Sequence, residues 1–337
     1  MEFSTRRLGG SSIEVTEYGF GGAPLGNLFR SVPDEEAKVL LNGVWDAGFR
    51  YFDTAPFYGF GLSERRIGDY LRTRPRGEFV LSTKVGRRLK PNAGDHPDRA
   101  YYVDALPFEP VFDYTYDGVM RSFEDSLQRL GLDRIDVLLL HDIDWFTHGE
   151  RQGEVFETAM TGAAKAMHRL RSSGAVGAIG LGVNEWQVCE AAMDRMAWDC
   201  FLLAGRYTLL EQEALGSFLP RCVAENASII VGGAFNSGIL ATGAREGARY
   251  NYAPAPTEIL DRVARIEAVC ARHGVRLAAA ALAFPLTHPA VACVIPGMAV
   301  VSELRANVDL LSETVPPALY DDLKREGLMR ADAPTSA

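Results

Sequence analysis

The feature that most constrains the fold of this 337-residue chain is a regular alternation of short apolar runs with longer amphipathic segments. The runs have the length and composition of buried strands, and they lie at Tyr18–Gly21, Tyr51–Asp53, Phe79–Lys84, Ile135–His141, Ala178–Val183, Cys200–Ala204, Ser228–Gly232 and Val291–Ile295. The segments between them repeat their apolar residues with the helical period of about 3.6 residues, and they lie at Asp34–Ala47, Leu62–Arg72, Tyr116–Leu130, Glu154–Ser172, Glu185–Met196, Gln212–Asn226, Pro256–His273 and Ser302–Ser312. Eight strands alternating with eight helices, with no linker between two halves, predict a single (β/α)8 TIM barrel.

The other common α/β architecture, a doubly wound sheet that binds a dinucleotide at a glycine-rich turn, is disfavoured because its fingerprint is absent. That fingerprint is Gly-x-Gly-x-x-Gly between a strand and a helix. The third glycine is missing at the required spacing from the three nearest matches, Gly19–Gly22, Gly59–Gly61 and Gly180–Gly182. We therefore assign residues 1–330 to one barrel and expect residues 331–337 to form a disordered tail.

Two connections between strands are too long to serve only as links. Residues 87–115 follow the third strand and carry five aromatic side chains, and residues 235–255 follow the seventh strand and are rich in Gly, Ala, Asn and Pro. In a barrel, the loops that follow strands lie at the carboxyl end, where substrates bind. We therefore expect both loops to border a binding site. A short segment around Gly9 and Gly10 predicts a hairpin before the barrel.

Composition excludes several classes of partner. The chain has 35 Lys and Arg against 44 Asp and Glu, and the net charge of −9 disfavours binding to nucleic acids or anionic membranes. The five cysteines are widely spaced and include no Cys-x-x-Cys, which predicts reduced thiols rather than disulfides or a zinc site. The N-terminus lacks the apolar run of a signal peptide, and no stretch reaches the roughly eighteen apolar residues of a membrane span. We expect a cytoplasmic protein that binds no metal.

Four residues near strand ends suggest acid–base chemistry. Asp53, Lys84 and His141 end predicted strands, and Tyr58 follows Asp53 by five residues. Each alone has a structural explanation, as a helix cap, a solvated lysine, a core histidine or a packed tyrosine. Together they would face one barrel mouth. There we expect Lys84, oriented by Asp53, to lower the pKa of Tyr58 from the usual value of about 10, and a neutral His141 to hold the reacting oxygen. This arrangement suits proton transfer to or from an alcohol or carbonyl while hydride moves elsewhere.

Several longer motifs occur in an order that resembles the aldo-keto reductase superfamily across residues 4–311. They are Gly19–Gly26, Phe52–Gly59 with Ser63-Glu64, Ser82–Gly86, Ser126–Asp136, Leu140-His141, Ala178–Asn184 and Ile295–Gly297. The resemblance implies a (β/α)8 barrel that binds a nicotinamide dinucleotide without a doubly wound domain. It also implies that the catalytic residues are Asp53, Tyr58, Lys84 and His141.

Within that superfamily the chain resembles the branch of D-threo-aldose 1-dehydrogenases and L-fucose dehydrogenases, with pyridoxal 4-dehydrogenases close by. The segments that carry this narrower resemblance are Asp113–Asp117, His141–Asp144, Ala204–Leu210 and Gly233–Leu240. It implies oxidation of the C1 hydroxyl of a cyclic aldose to a lactone, with Tyr58 as the general base. Oxidation of pyridoxal and general aldehyde or ketone reduction are the alternatives within the superfamily.

The resemblance also implies which residues contact the cofactor. Asn184 is expected to hold the nicotinamide carboxamide, and Phe235 to help hold the ring, because Ala204 and Gly232-Gly233 replace side chains that hold it in other members. Further contacts are expected at Gly22, Asn236, Gly238, Leu240, Gly297, Glu303 and Asn307. NADP-preferring members carry Lys and Arg where this chain has Gly297 and Glu303, so we predict NAD over NADP. A two-residue shift of the alignment would instead place Arg305 at the second position.

Other classes of function stay open at this point. One is a non-catalytic regulatory barrel like the potassium-channel β subunits, which also resemble aldo-keto reductases. A metal-assisted hydrolase would use His141, Asp142 and Asp144 but lacks the usual His-x-His pair, and a glycosidase built on Asp53 and Asp142 would leave the lysine and tyrosine without a role. His148 is a further candidate for the substrate pocket. The sequence indicates a small-molecule substrate, a sugar or pyridoxal-like alcohol, and leaves the oligomeric state open.

Overall fold

The computed structural model describes residues 1–92, 94 and 101–335, and its centre is a barrel of eight parallel strands. We number them β1 to β8 in chain order: Phe20–Gly21, Tyr51–Asp53, Val80–Val85, Val137–His141, Ala178–Val183, Cys200–Ala204, Ser228–Gly232 and Val291–Ile295. Each strand pairs with the next in the chain. Bridges from Tyr18 to Val294 and from Gly21 to Gly297 join β1 to β8. The predicted barrel is confirmed, with strand bounds within two residues of those predicted.

Helices cover the outside of the barrel. The longer ones are Asp34–Asp46, Leu62–Leu71, Tyr116–Leu130, Gln187–Met193, Phe218–Ala224, Thr257–Arg272, Leu277–Ala283, Val301–Leu311 and Pro317–Arg325. The segment predicted as one helix over Glu154–Ser172 consists of α-helices Gln152–Thr158 and Ala164–Ser172, joined by a π-helical turn. A Cβ at Gly162 in that turn would lie 2.8 Å from the carbonyl oxygen of Tyr114, so the turn accommodates a close backbone approach.

Within the described part of the chain, no single helix is both long and apolar enough to span a bilayer. Helix Thr257–Arg272 and the segment Leu277–Thr287 reach that length and composition only when taken together, across a bend of 95°.

Side chains alternate along each strand between the barrel interior and the helical layer. Tyr51 and Leu139 belong to the apolar cluster inside the barrel, whereas their neighbours Phe52 and Leu138 belong to the larger cluster outside it. Asp53 and His141 lie two residues beyond Tyr51 and Leu139, so both side chains also project into the interior. The strand period thus delivers polar side chains to the carboxyl end of an otherwise apolar core.

The amino end of the barrel is closed by a hairpin of strands Thr5–Arg7 and Glu14–Thr16, as predicted. Leu8 and Val15 are buried and complete the interior cluster. Gly9 has a φ of 51°, and a Cβ there would lie 2.2 Å from the carbonyl oxygen of Asp199, so only glycine allows this close approach. Access to the interior is therefore from the carboxyl end.

Both long connections lie at the carboxyl end. The first contains the antiparallel strands Arg87–Pro91 and Phe108–Phe112, and residues 93 and 95–100 within it lie outside the described residues. The second contains the short helix Ile239–Thr242 and a two-stranded turn of Arg249–Tyr250 with Ala253–Pro254.

The C-terminal segment differs from the disordered tail expected for residues 331–337. Ala333 is buried at 2% exposure, and the carbonyl of Pro334 accepts a hydrogen bond from the Thr287 hydroxyl at 2.7 Å. Residues 331–335 pack because these contacts bury an apolar side chain and pair a backbone carbonyl. Residues 336–337 lie outside the described residues.

Candidate active site

Three neighbouring strands and one turn bring the four predicted catalytic side chains together. Asp53 ends β2, Lys84 lies near the end of β3 and His141 ends β4, while Tyr58 lies in the turn that follows β2. Glycine at position 182 on β5 makes room for the lysine, because a Cβ there would lie 3.2 Å from Cε of Lys84. The four side chains form one group at the carboxyl end of the barrel.

Lys84 and Asp53 form a fully buried ion pair. The ammonium donates to the two carboxylate oxygens at 2.9 and 2.7 Å and to the carbonyl of Thr54 at 2.9 Å. The hydroxyl of Ser82 donates to the same carboxylate at 2.7 Å and accepts from Tyr51 at 2.9 Å. Since a buried charge must be paired and hydrogen-bonded, this network fixes the lysine in one position.

Tyr58 lies between the lysine and the histidine. The Lys84 ammonium is 4.7 Å from the centroid of the phenol ring, and the His141 ring lies edge-on to it with centroids 6.1 Å apart. Burial, followed by the charges of Arg87 and Lys84, lowers the pKa of His141 well below its usual value, so the imidazole is neutral. A neutral imidazole can donate one hydrogen bond to a reacting oxygen.

The pKa of Tyr58 differs from the expectation that Lys84 would lower it. Burial and then the charge of Asp53 raise the pKa of Tyr58 well above its usual value. The main physical reason is burial, which disfavours the charged phenolate, and the negative charge of Asp53 adds to the rise while balancing that of Lys84. Tyr58 is therefore a protonated phenol at neutral pH in this state of the protein.

The four residues lie at the floor of a cleft with two adjoining lobes. The tetrad lobe, of about 240 Å³, is lined by Tyr58, Lys84 and His141 together with Asn184 and several aromatic side chains. The glycine lobe, of about 300 Å³, is lined by Gly21, Gly232, Gly233, Gly238 and Gly297 together with Asp53 and Phe235. Tyr58, Ala204 and Tyr252 line both lobes. The tetrad lobe thus contains most of the titratable groups, and five glycines border the other lobe.

The predicted cofactor contacts separate into two groups in the structure. Asn184, Phe235, Gly238 and Gly297 line the cleft. Five others do not line it: Gly22, Asn236 and Leu240, which make packing or backbone contacts instead, and Glu303 and Asn307. A Cβ at Gly22 would lie 2.5 Å from the carbonyl of Asp53, Asn236 bonds Thr208 and Gly205 through its side chain at 2.6 and 3.0 Å, and Leu240 is buried in the outer core.

Glu303 and Asn307 lie on helix Val301–Leu311, in the segment that follows Gly297. The Glu303 carboxylate is half exposed and accepts a hydrogen bond from the backbone N–H of Ala299 at 2.7 Å. Its other oxygen is 3.7 Å from the guanidinium of Arg30, a cation that the sequence did not associate with this position. Asn307 is buried one turn further along the helix.

Comparison with known proteins agrees with this geometry. A model of the Aldo/keto reductase family matches residues 17–325. The chain belongs to the aldo-keto reductase family. It is 42% identical to pyridoxal 4-dehydrogenase from Microbacterium luteolum, over 96% of this chain and 97% of that one. It is 41% identical to D-threo-aldose 1-dehydrogenase from Pseudomonas sp, over 95% of this chain and 96% of that one.

Solved structures of aldo-keto reductases share the fold. A glycerol dehydrogenase from Gluconobacter oxydans has a TM-score of 0.75 at 20% identity, with 99% of each chain covered. The holo form of an aldo-keto reductase from Bacillus halodurans has a TM-score of 0.72 at 24% identity, with 98% of each chain covered. The predicted family and fold are confirmed, and the protein is an oxidoreductase acting on CH–OH groups in a family that uses nicotinamide cofactors.

The glycine lobe has the character that a nicotinamide dinucleotide requires in this aldo-keto reductase. At Gly238, which has a φ of 97°, the space into which a Cβ would point is empty. Gly233 has a φ of 60° and is exposed in the wall of the lobe. Exposed backbone without side chains allows close approach of a phosphate or a flat ring, so the residues present fit this group.

Three loops form an aromatic roof over the cleft of this aldo-keto reductase, consisting of Phe29, Tyr101 and Tyr252. Tyr101 and Tyr252 stack with centroids 5.5 Å apart and 16° between their planes, and Phe29 packs against Tyr101 at 5.6 Å. The roof joins the connections after β1, β3 and β7. The aromatic loop after β3 was predicted from the sequence, but Tyr252 was not. An aromatic residue in the Gly- and Asn-rich loop after β7 was the feature that could have indicated it.

The tetrad lobe also contains Arg87, which the sequence did not indicate, and Asp142, which it indicated only for the hydrolase and glycosidase alternatives. His148 was a candidate for the substrate pocket, but its Nε2 bonds the Tyr114 hydroxyl at 3.0 Å and the Asp142 carbonyl at 2.8 Å. Asp144, weighed as a metal ligand, accepts hydrogen bonds from the backbone of Thr147 and Asn184. Both side chains therefore stabilise the segment after β4.

Proposed function

We propose that this aldo-keto reductase is an NAD-dependent dehydrogenase that oxidises the C1 hydroxyl of a cyclic aldose, of the L-fucose or D-threo type, to a lactone. The observation that carries the proposal is a cleft with Tyr58, Lys84 and His141 in one lobe and Asp53, the partner of Lys84, in the adjoining glycine-lined lobe. The relative named D-threo-aldose 1-dehydrogenase, which matches nearly the whole chain, supports the choice of substrate class.

Tyr58 and His141 divide the handling of the reacting oxygen. A bound nicotinamide ring supplies the hydride acceptor. Neutral His141 donates a hydrogen bond to the oxygen and fixes its position, while the Tyr58 hydroxyl exchanges a proton with it. Lys84 stabilises the phenolate that accepts the proton when Tyr58 acts as the base, and Asp53 keeps Lys84 charged and in place.

The raised pKa of Tyr58 sets the pH dependence of this reaction. In reduction the protonated phenol is the form that donates, and it is present at neutral pH. In oxidation the phenolate must accept the proton, and its fraction increases as pH rises toward the pKa. The proposal therefore implies that oxidation becomes faster with rising pH.

Four of the cleft residues are proposed to hold the cofactor: Asn184, Phe235, Gly238 and Gly297. The preference for NAD is proposed from Glu303, because a carboxylate near the ribose repels a 2′-phosphate and accepts a hydrogen bond from a free 2′-hydroxyl. Arg30 lies 3.7 Å from that carboxylate and offsets part of its charge, so a variant of Arg30 belongs in the test of cofactor preference.

A second candidate substrate is pyridoxal. The relative with 42% identity carries the name pyridoxal 4-dehydrogenase. The tetrad lobe is also lined by aromatic side chains, and a flat pyridine ring packs well on such walls. They are Phe57, Tyr101, Tyr102, Phe146 and Tyr252.

The two substrates are distinguished by steady-state oxidation of a panel of aldoses and pyridoxal with NAD, followed as NADH formation. Oxidation of L-fucose or a related aldose with higher kcat/KM than pyridoxal, and a lactone product, supports the proposal. A higher kcat/KM for pyridoxal favours the second candidate. If neither substrate is oxidised, or if a Tyr58→Phe control retains turnover, the assignment of this site is contradicted. Absence of turnover with any alcohol favours a non-catalytic regulatory barrel.

A further inference from the structure

Outside the four catalytic residues, the tetrad lobe contains a second buried ion pair. Arg87 begins the hairpin strand Arg87–Pro91, and Asp142 directly follows His141. The guanidinium Nη2 is 2.5 Å from Oδ2 of the carboxylate, and each residue is 7% exposed. The Arg87 guanidinium also lies over the rings of Phe57 and Phe112, at 3.8 and 4.7 Å from their centroids. These contacts hold the pair rigidly in the wall of the lobe.

The pair has hydrogen-bonding capacity that the protein does not use. Within the described part of the chain, the buried Nε of Arg87 has no hydrogen-bond partner. The bond to Arg87 uses Oδ2 of Asp142 and leaves Oδ1 outside that contact. A buried polar atom without a partner is costly, as Nε of Arg87 is, and both side chains line the lobe. A ligand acceptor would satisfy Nε of Arg87, and a donor on the same ligand would bond the Asp142 carboxylate.

The position of the pair relative to His141 indicates which part of a substrate it meets. Oδ2 of Asp142 is 3.4 Å from Nε2 of His141. If the imidazole holds the reacting oxygen, a substrate group bound by Asp142 and Arg87 lies about one hydrogen-bond length from that oxygen. Oxygens on adjacent carbons of a diol have that separation.

The charges of the lobe also restrict the substrate. Arg87 is balanced by Asp142, Lys84 is balanced by Asp53, and His141 is neutral. With no excess charge of either sign in these groups, the lobe suits an uncharged hydroxylated molecule better than a phosphorylated or carboxylated one.

We propose that Arg87 and Asp142 recognise the hydroxyl on the carbon next to the reacting carbon, so that the enzyme selects substrates with two adjacent oxygens. This inference rests on the proposed oxidation of an aldose, in which that group is the C2 hydroxyl. A hydroxyl both donates and accepts, so it bonds the carboxylate of Asp142 and the guanidinium of Arg87 at once. An analogue without it leaves a buried ion pair poorly hydrogen-bonded, and sites of this kind reject such analogues.

The first test compares wild-type kcat/KM for an aldose and for its 2-deoxy analogue with NAD. The expected preference for the aldose is about 10- to 100-fold, as for loss of a hydrogen bond to a charged group. Equal values for the two sugars overturn the recognition by Arg87 and Asp142 and leave the proposed function standing. If neither sugar is oxidised, the proposed function itself fails. This arm needs no variant, so a folding defect cannot obscure it.

The second test repeats the comparison in Asp142→Asn and Arg87→Lys. Both variants should lose most of the preference, to within about threefold of equality, because each weakens one half of the charged contact. The matched control is Arg88→Gln, one residue along the same strand, whose side chain is 3.5 Å from Asp113 and does not line the lobe. It should keep the wild-type preference. If a folded Asp142→Asn protein keeps the full preference for the aldose over its 2-deoxy analogue, another group recognises the hydroxyl and the proposal is wrong.

Discussion

Replacement of Lys84 by methionine tests how the buried pair with Asp53 supports both folding and chemistry. Methionine has a similar length but no charge, so it removes three hydrogen bonds of 2.7 to 2.9 Å and leaves the carboxylate without its cation. The two side chains are 1% and 3% exposed, so water cannot replace the ammonium. Removing one partner of such a pair costs about 3–5 kcal/mol.

Thermal unfolding near neutral pH measures this loss. An unfolding entropy of about 2.1 cal/mol/K per residue over 337 residues gives about 0.7 kcal/mol/K, so Tm should fall by about 4–7 °C. The double variant Asp53→Asn, Lys84→Met should recover much of the lost stability, since no unpaired charge remains.

The control is Arg195→Gln, which breaks the pair between Arg195 and Glu157 at 2.6 Å on the protein surface. Exposed pairs of this kind contribute little, so Tm should stay at the wild-type value. Two results would refute the role given to the buried charge. One is a Lys84→Met protein with the same Tm as the Arg195→Gln control, and the other is a double variant whose Tm is no higher than that of Lys84→Met. Turnover should be lost in both Lys84 variants even where stability returns, which separates chemistry from folding.

The remaining predictions concern the reaction. Tyr58→Phe should lower kcat by about 10²- to 10⁴-fold with little change in cofactor affinity, measured by fluorescence titration, and near-native turnover would remove Tyr58 from the mechanism. Because burial raises the pKa of Tyr58, wild-type oxidation should accelerate from neutral to alkaline pH while reduction stays level, and a flat oxidation profile would contradict this. Wild-type kcat/KM should favour NAD; Glu303→Ala should shift the ratio toward NADP and Arg30→Gln away from it, whereas NADP preference in the wild type would overturn the argument.

The strands and the meeting of the four polar side chains at the carboxyl end could be predicted because both follow from local sequence. Strands buried on both faces are continuous apolar runs, and Asp53 and His141 end such runs, so both were expected at one barrel mouth. Where the local pattern was ambiguous the prediction was less accurate. The segment 154–172 has one helical period throughout, yet Gly162 allows the backbone contact that accompanies a π-helical turn.

The parts that could not be predicted depend on contacts between distant segments. Arg87 and Asp142 are 55 residues apart, and the pairing of β3 with β4, which places Val85 beside Leu140, brings them together. The pKa of Tyr58 is raised mainly by burial, and the ammonium of Lys84 does not offset this because Asp53 neutralises it. The extent of burial is a property of the folded protein and cannot be read from a residue pattern. Asn236 is polar and close to the cleft, but its side chain is committed to Thr208 and Gly205.

The wall shared by the two lobes has a thermodynamic consequence. Tyr58 and Tyr252 border both lobes, and Tyr252 stacks on Tyr101 from a different loop. A molecule that shifts either ring on entering one lobe changes the affinity of the other lobe, and linkage requires the change to be reciprocal. Binding in the two lobes is thus expected to be cooperative, because the aromatic roof contacts both lobes and couples their affinities.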